Sequence, residues 1–295
     1  HSLDEFEQQF NRSEAQGDFF LNDRHTFTLG AGLVNEGVSS SRYQDSTFQA
    51  TYLFAQHLWE PTDRFNITSG LRYDRHIAYG ENFSPKLAVG YDLSSNVRVR
   101  ASVGVGFKAP DFRQLLLNYN NPIVGYSVLG TAVVAEGIER LIQEGETFRN
   151  DPVNNPNALA SARANAELSA EGLVAERSLS FNLGADLQLN DELLLKANLF
   201  RNEISNLIET WAVAQKDNGQ FVYSYRNLDN IITQGLELES QWQVQPNFNI
   251  SLGYQFLDTY DENVLEKIQA GQLAYRPVGE IVSQRVTRRN YGGLF

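Results

Sequence analysis

The 295-residue chain has no cysteine and no methionine, and only 4 histidines. Without cysteine there is no disulfide framework, no zinc-thiolate site and no cysteine nucleophile. The histidines stand at 1, 25, 57 and 76, a scatter that matches no metal-ligand spacing, so each is read as structural. Methionine is missing even at position 1, which therefore reads as an internal cut or a processing site, and no signal peptide or lipidation motif is visible. Long apolar runs are also missing. Mean hydropathy is −0.37, and no stretch approaches the roughly 18 residues that a membrane helix needs, so any membrane crossing must be made by strands. Basic charge is in deficit: 24 Lys plus Arg against 36 Asp plus Glu gives −12, which argues against a nucleic-acid partner held through phosphates. What remains, 42% hydrophobic residues, suffices for one large β domain or two small ones.

The strongest pattern present lies between Asn96 and Leu115. Val97, Val99, Ala101, Val103, Val105 and Phe107 alternate with Arg98, Arg100, Ser102, Gly104, Gly106 and Lys108. A period of two predicts a strand with one apolar and one polar face. A soluble sandwich strand could alternate in the same way. Two arginines, a lysine and two glycines on one face nevertheless suit a wet, crowded lumen, and the opposite face suits lipid. Ala109-Pro110 ends the strand, because proline has no ladder donor. Leu179, Phe181, Leu183 and Leu187 alternate with polar residues in Arg177–Leu189, as do Phe248, Ile250, Leu252 and Tyr254 in Phe248–Tyr260. Strands at 97–107, 177–189 and 248–258 are thus expected in one antiparallel meander, with Val99, Val103, Phe181, Leu183 and Ile250 facing outward.

Elsewhere, His1–Asn22 reads as a partial strand pair, and Arg24–Asn35 as a strand broken by the Gly/Ser-rich Glu36–Asp45. Strands follow at Ser46–Trp59, Arg64–Ile77, Phe83–Leu93, Leu193–Asn202 and Arg226–Val244. A middle piece, Ile204–Tyr225, holds the hairpin signal Lys216-Asp217-Asn218-Gly219. Asp111–Glu176 shows no sustained strand pattern, with Val133–Gln143 as its one short helix. Connections near 22, 61, 95, 190 and 246 are short, and those near 40, 80, 145, 215 and 265 are looser. Such alternation is expected of an up-and-down barrel with short turns at one end and long loops at the other.

The chemical signals are sparse. Gly104-x-Gly106 lacks the helix that a phosphate-binding loop requires. Glu237 and Glu239 share a strand face as a glycosidase pair might, but they align with Thr233, Gly235, Gln241 and Gln243. With Arg98 and Arg100 they are assigned to a hydrated lumen wall. Trp59, Trp211 and Trp242, with 13 tyrosines, read as an interfacial girdle, Trp59 and Trp242 lying beside short turns.

Several runs resemble the second half of the barrel of the TonB-dependent outer-membrane receptors. They are Phe83-Ser84-Pro85-Lys86-Leu87 with Tyr91, and Val103-Gly104 to Gly106-Phe107-Lys108-Ala109-Pro110-Asp111-Phe112 with Leu115. After them come Ala175-Glu176-Arg177-Ser178 with Gly184, Asn198 to Ile208, Arg226-Asn227 with Gly235 to Glu239, and Tyr254-x-Phe256-Leu257-Asp258. Their order and spacing carry the likeness, from about residue 64 to 260. The resemblance implies an all-β fold, an antiparallel up-and-down transmembrane β-barrel in the bacterial outer membrane. The chain would supply roughly eleven strands, about half of a 22-stranded barrel, as one partial unit over 1–295 with a long extracellular loop at 111–176. No plug, coupling box or closing strands are recognisable, and Phe295 reads as a cut end.

The resemblance further implies a receptor and not an enzyme: energy-coupled uptake of a scarce, bulky ligand, with iron-siderophore as first choice. Its partners would be a TonB-type energy-coupling protein acting through the missing plug, and outer-membrane lipid. No cofactor or metal is called for. Haem, cobalamin and glycan receptors of the same family, or a passive porin, are the alternatives. Haem is weakened because no histidine follows His76, although Tyr119 or Tyr126 could substitute. In the long loop, Arg113, Tyr119 and Tyr126 offer charge-assisted and aromatic contacts and are the candidate ligand-binding residues.

Overall fold

The computed structural model describes residues 6–40, 43–121, 125–150, 157–270 and 291–294. Six long strands come first: β1 (Phe6–Asn22), β2 (His25–Ser40), β3 (Tyr43–Thr62), β4 (Phe65–His76), β5 (Gly80–Ser94) and β6 (Val97–Lys108). An inserted segment then forms α1 (Phe112–Leu116), β7 (Asn118–Asn121), β8 (Tyr126–Leu129), α2 (Val134–Gln143) and α3 (Ala158–Ala170). The meander resumes with β9 (Glu176–Asn190), β10 (Leu193–Gln215), β11 (Phe221–Gln245) and β12 (Phe248–Asp261), followed by α4 (Glu262–Gln269) and the short β13 (Tyr291–Leu294). Each long strand pairs antiparallel with the next, and β6 pairs directly with β9 across the insertion. The main path therefore has eleven strands, as expected. Among the described residues β1 and β13 have one neighbour each, so the sheet is open.

Register keeps the two faces chemically distinct over the whole sheet. Val89, Ala101, Leu183, Leu199, Leu236 and Phe256 sit opposite one another on six successive strands. One residue along, the row reads Gly90, Arg100, Gly184, Asn198, Glu237 and Gln255. A slip of one residue would put the second row where the first belongs, which is why a two-faced sheet has one register. Leu183 and Leu199 are more than half exposed, at 56% and 53%. A row of such residues cannot face water in a stable fold, and lipid is its solvent. Val99, Val103, Phe181, Leu183 and Ile250 all lie on this apolar face, and the three strands around them form as expected.

The short turns are closed by side-chain oxygens two residues ahead of the amide they accept. Asn22 Oδ1 takes the Arg24 amide at 2.9 Å, Thr62 Oγ1 that of Arg64 at 3.3 Å, Ser94 Oγ that of Asn96 at 3.3 Å, and Asn190 Oδ1 that of Glu192 at 3.0 Å. These local bonds stand in for the missing ladder bond.

Several expectations need correction. His1–Asn22 gives one strand, β1, over its described residues. The Gly/Ser stretch does not break β2, which runs to Ser40 before β3 starts at Tyr43, because ladder bonds to both neighbours hold a weakly patterned stretch extended. Residues 41–42 lie outside the described residues. The strands expected to end at Asn202 and begin at Arg226 instead run on through Ile204–Tyr225 as β10 and β11, 23 and 25 residues long. About 9–11 residues would cross a bilayer, so on this side the length resides in strands that outrun the membrane, and the 77–79 and 216–220 connections are short. The long insertion is present, and its described residues form helices and a short hairpin rather than an irregular loop.

Candidate functional site

Arg98, Arg100, Glu237 and Glu239 lie on the polar face and line a cavity of about 1190 Å³ with Lys86, Asn182, Asp186 and Lys196. Every charge among the first four has a partner across or along the sheet. Arg98 Nε is 3.7 Å from Asp92, Arg100 donates to Asp186 Oδ2 at 2.5 Å, and Lys196 Nζ is 3.5 Å from Glu239. Glu237 accepts from Asn198 at 3.0 Å and Gln255 at 2.9 Å. The two carboxylates are thus held by Lys196 and by neighbouring amides, in a wall of mixed charge. Gly184 makes room for it, since a Cβ there would meet Arg100 Nε at 2.8 Å. A second cluster on the same face joins β1, β3 and β4. Arg12 Nε donates to the hydroxyl of Tyr52 at 2.9 Å, and the Arg72 guanidinium lies 3.9 Å from the Tyr52 ring centroid. Sequence reasoning missed Tyr52, whose partners lie on other strands.

Four of the runs that carried the family resemblance converge where β6 ends and β9 begins, beside β10 and β11. Pro110 ends β6, and Asp111 starts α1 with a reciprocal cap, accepting from the Gln114 amide at 2.8 Å while Gln114 Oε1 accepts from the Asp111 amide at 2.9 Å. Phe112 stacks on Phe48 of β3, ring centroids 4.3 Å apart. Glu176, nearly buried, accepts from Lys108 at 3.0 Å and from the Ile208 amide at 3.1 Å. Asn227 donates to the carbonyls of Asn206 and Val174 and accepts from the Val174 amide at 2.8 Å. Asn206 itself has φ 58°, a conformation asparagine tolerates. Four motifs far apart in sequence thus form one polar junction beneath the insertion.

Above the junction, the insertion has its own core. Leu129, Val134, Ile138, Leu141, Phe148, Ala158, Ala162 and Ala166 pack on Val213 and Val222 of the β10–β11 hairpin. The expected helix at Val133–Gln143 is present as α2, and α3 was missed because its buried face is alanine, which gives little apolar periodicity. Gly130 comes so close to the backbone of Leu115 and Leu116 that any side chain would collide. Trp211 belongs to this packing and not to a girdle: its Nε1 donates to Ser169 at 2.9 Å and Arg226 lies over its ring. Trp59 and Trp242, by contrast, are exposed on the apolar face next to the short turns.

Tyr119 and Tyr126 are brought together on the β7–β8 hairpin, ring centroids 6.0 Å apart and edge to face. Tyr119 lines a cavity of about 210 Å³ with Asn118, Arg140 and Glu144, where Arg140 donates to Asn118 at 2.6 Å. Arg113 is elsewhere, exposed on α1 and 3.8 Å from Asp111. Between α2 and α3, Arg163 donates to Glu139 at 2.6 Å, and this hydrogen bond holds the Glu139 carboxyl below its usual range.

Comparison with known proteins agrees with this architecture. The family model "TonB dependent receptor-like, beta-barrel" matches residues 3–285. The ferrienterobactin receptor of Escherichia coli is 27% identical over 214 residues, 72% of this chain and 24% of that protein. The vitamin B12 transporter BtuB of Photobacterium profundum is 23% identical over 240 residues, 80% of this chain and 31% of that protein. The chain thus spans about a quarter to a third of the length of these curated relatives. The crystal structure of the siderophore receptor PirA from Pseudomonas aeruginosa superposes with a TM-score of 0.63 at 19% identity, over 88% of this chain and 44% of that one. With two-faced strands, open meander and family match in agreement, the chain belongs to the TonB dependent receptor-like β-barrel family.

Proposed function

We propose that this chain is part of the barrel wall, with an external loop domain, of an outer-membrane receptor that takes up an iron-siderophore complex. A TonB-type protein would supply the energy through a plug carried elsewhere in the receptor. The observation that supports the ligand class best is the 27% identity to a ferrienterobactin receptor over 72% of the chain. In this reading the polar face of Arg98, Arg100, Glu237 and Glu239 is the lumen wall, whose compensated charges suit passage of a bulky cargo without trapping it. The 111–176 segment is extracellular. Parity supports that side: it lies opposite the short turns at 94–96 and 190–191, and periplasmic turns are the short ones. Tyr119 and Tyr126 meet the ligand through their rings, and Arg113 through its charge.

Cobalamin is the second reading, supported by the likeness to the vitamin B12 transporter. A strain lacking the gene should fail to grow under iron restriction with a siderophore as sole iron source, and recover with the intact gene. Growth independent of iron supply, with cobalamin-dependent growth impaired, would transfer the assignment to cobalamin. For topology, protease added to intact cells should cleave within 111–176, and cleavage seen only after the outer membrane is broken would overturn it.

A further inference from the structure

The β7–β8 hairpin has two faces. Tyr119, Tyr126 and Val128 stand on one, whereas the register puts Asn118, Asn120, Ser127 and Leu129 on the other, where Leu129 packs with Ile138 and Leu141 of α2. On that side lies the cavity of about 210 Å³, lined by the apolar Leu129 and Leu141 and by the polar Asn118, Asn120, Ser127, Arg140 and Glu144. Arg140 Nη2 donates to Asn118 Oδ1 at 2.6 Å, and Ser127 Oγ to Asn120 Oδ1 at 3.0 Å, so each asparagine has its oxygen engaged and offers its amide nitrogen. Arg140 Nε and Glu144 Oε1 are 3.8 Å apart, an ion pair too long for a direct hydrogen bond. The cavity thus presents donors and one acceptor side by side, with both charges reached by solvent.

A carboxylate entering here would face Glu144, and an ammonium would face Arg140. An amide is uncharged and carries both functions: its carbonyl accepts from Arg140 or an asparagine, and its N–H donates to Glu144. The volume is below the roughly 300–1,000 Å³ of a pocket for a drug-sized molecule, so the cavity admits one arm of a larger cargo. The surrounding charge points the same way. Segment 111–176 holds nine Asp and Glu against four Arg and no Lys, and Arg113, Arg140 and Arg163 each face a carboxylate, at 3.8, 3.8 and 2.6 Å. A surface of this sign repels a polyanion on approach and is indifferent to a neutral cargo. We propose that this cavity binds a neutral amide arm of the cargo through Arg140, Glu144, Asn118 and Asn120, an inference that rests on the reading of the chain as part of an uptake receptor. The cargo is then uncharged and amide-bearing, a peptidic trihydroxamate iron complex or cobalamin, and not a polyanionic tris-catecholate iron complex.

The test uses the receptor that carries this chain, purified in detergent and titrated by calorimetry with three probes: ferrichrome, a neutral peptidic trihydroxamate complex; cyanocobalamin; and ferric enterobactin, a trianionic tris-catecholate complex. Ferrichrome or cyanocobalamin should bind at least tenfold more tightly than ferric enterobactin, and which of the two does so identifies the source of the amide. Arg140→Gln and Glu144→Gln should each weaken that binding at least fivefold, while Glu171→Gln, outside the cavity, leaves it unchanged. If a variant fails to fold, the unaltered receptor still decides through the ranking of the probes and through salt, which should hardly change the affinity for the neutral ligand. Tightest binding of ferric enterobactin, or full affinity for the neutral ligand in both cavity variants, would overturn the inference and leave the receptor reading standing. Binding of none of the three would overturn both.

Discussion

Among the described residues Lys216 is the largest side chain that is buried completely, and its ammonium is 2.9 Å from Glu146, which keeps 31% of its side chain in contact with solvent. The two ends of this pair are therefore unequal. Glu146→Ala leaves an ammonium buried without its anion, and breaking a buried pair in this way costs about 3–5 kcal/mol. Lys216→Met removes the buried charge and leaves a carboxylate that water reaches, so its cost should be well below that. Hydrogen exchange at 126–149 and 213–222 measures both, and equal loosening by the two variants would refute the argument. The importance of Lys216 was illegible in sequence, where it is the first residue of a hairpin signal. The hairpin formed as expected, with Gly219 at φ 87°, but the burial comes from the 144–149 segment, which pairs Phe148 with Lys216.

Elements in this chain have two faces, and substitutions on them should divide accordingly. Leu183→Arg would place a guanidinium in lipid, at a cost of about 2–4 kcal/mol near the midplane. Asn182→Arg, one residue earlier, meets the polar cavity and should cost little. Urea midpoints of the refolded receptor separate the two, and equal shifts would contradict the assignment of faces. The α2–α3 pair makes a pH prediction. The Arg163 hydrogen bond lowers the Glu139 carboxyl pKa in the folded protein. Its contribution is thus present above the ordinary carboxylate pKa of 4.5 and lost as pH falls through the lower, folded value. Protease sensitivity of the α2–α3 region should rise in acid for the wild type, and Glu139→Gln should show the raised sensitivity already at neutral pH. An identical pH profile in both would discount the pair. The helices themselves were partly legible: α2 has a clear apolar stripe, whereas α3 buries Ala158, Ala162 and Ala166, and alanine marks a buried face poorly.

For the whole molecule, the open sheet is decisive. β1 and β13 each present an unpaired edge among the described residues, and Leu199, Leu252 and Phe256 stand on a continuous apolar face. Free edges and exposed apolar surface drive association. Residues 1–295 produced alone should therefore fail to give the heat-modifiable, monomeric species of a closed barrel, and supplying the remaining strands of the receptor should restore it. A stable monomer of the isolated chain in detergent would overturn this.

The sequence alone determined what depends on neighbours two residues apart. Alternation set the strands and their faces, Pro110 set the end of β6, Asn, Thr and Ser set the short turns, and the absence of long apolar runs excluded membrane helices. Tertiary structure alone decided what depends on register between distant strands and on packing above them. Register brought His25 to His57 and Arg100 to Asp186, and drew Glu176, Asn206 and Asn227 into one junction. Packing turned an apparent structureless loop into a domain resting on Trp211, Val213 and Val222. The physical reason is range: a period-two pattern is written in consecutive residues, whereas a cross-strand contact is set by how far each strand runs before it turns, which no local stretch encodes.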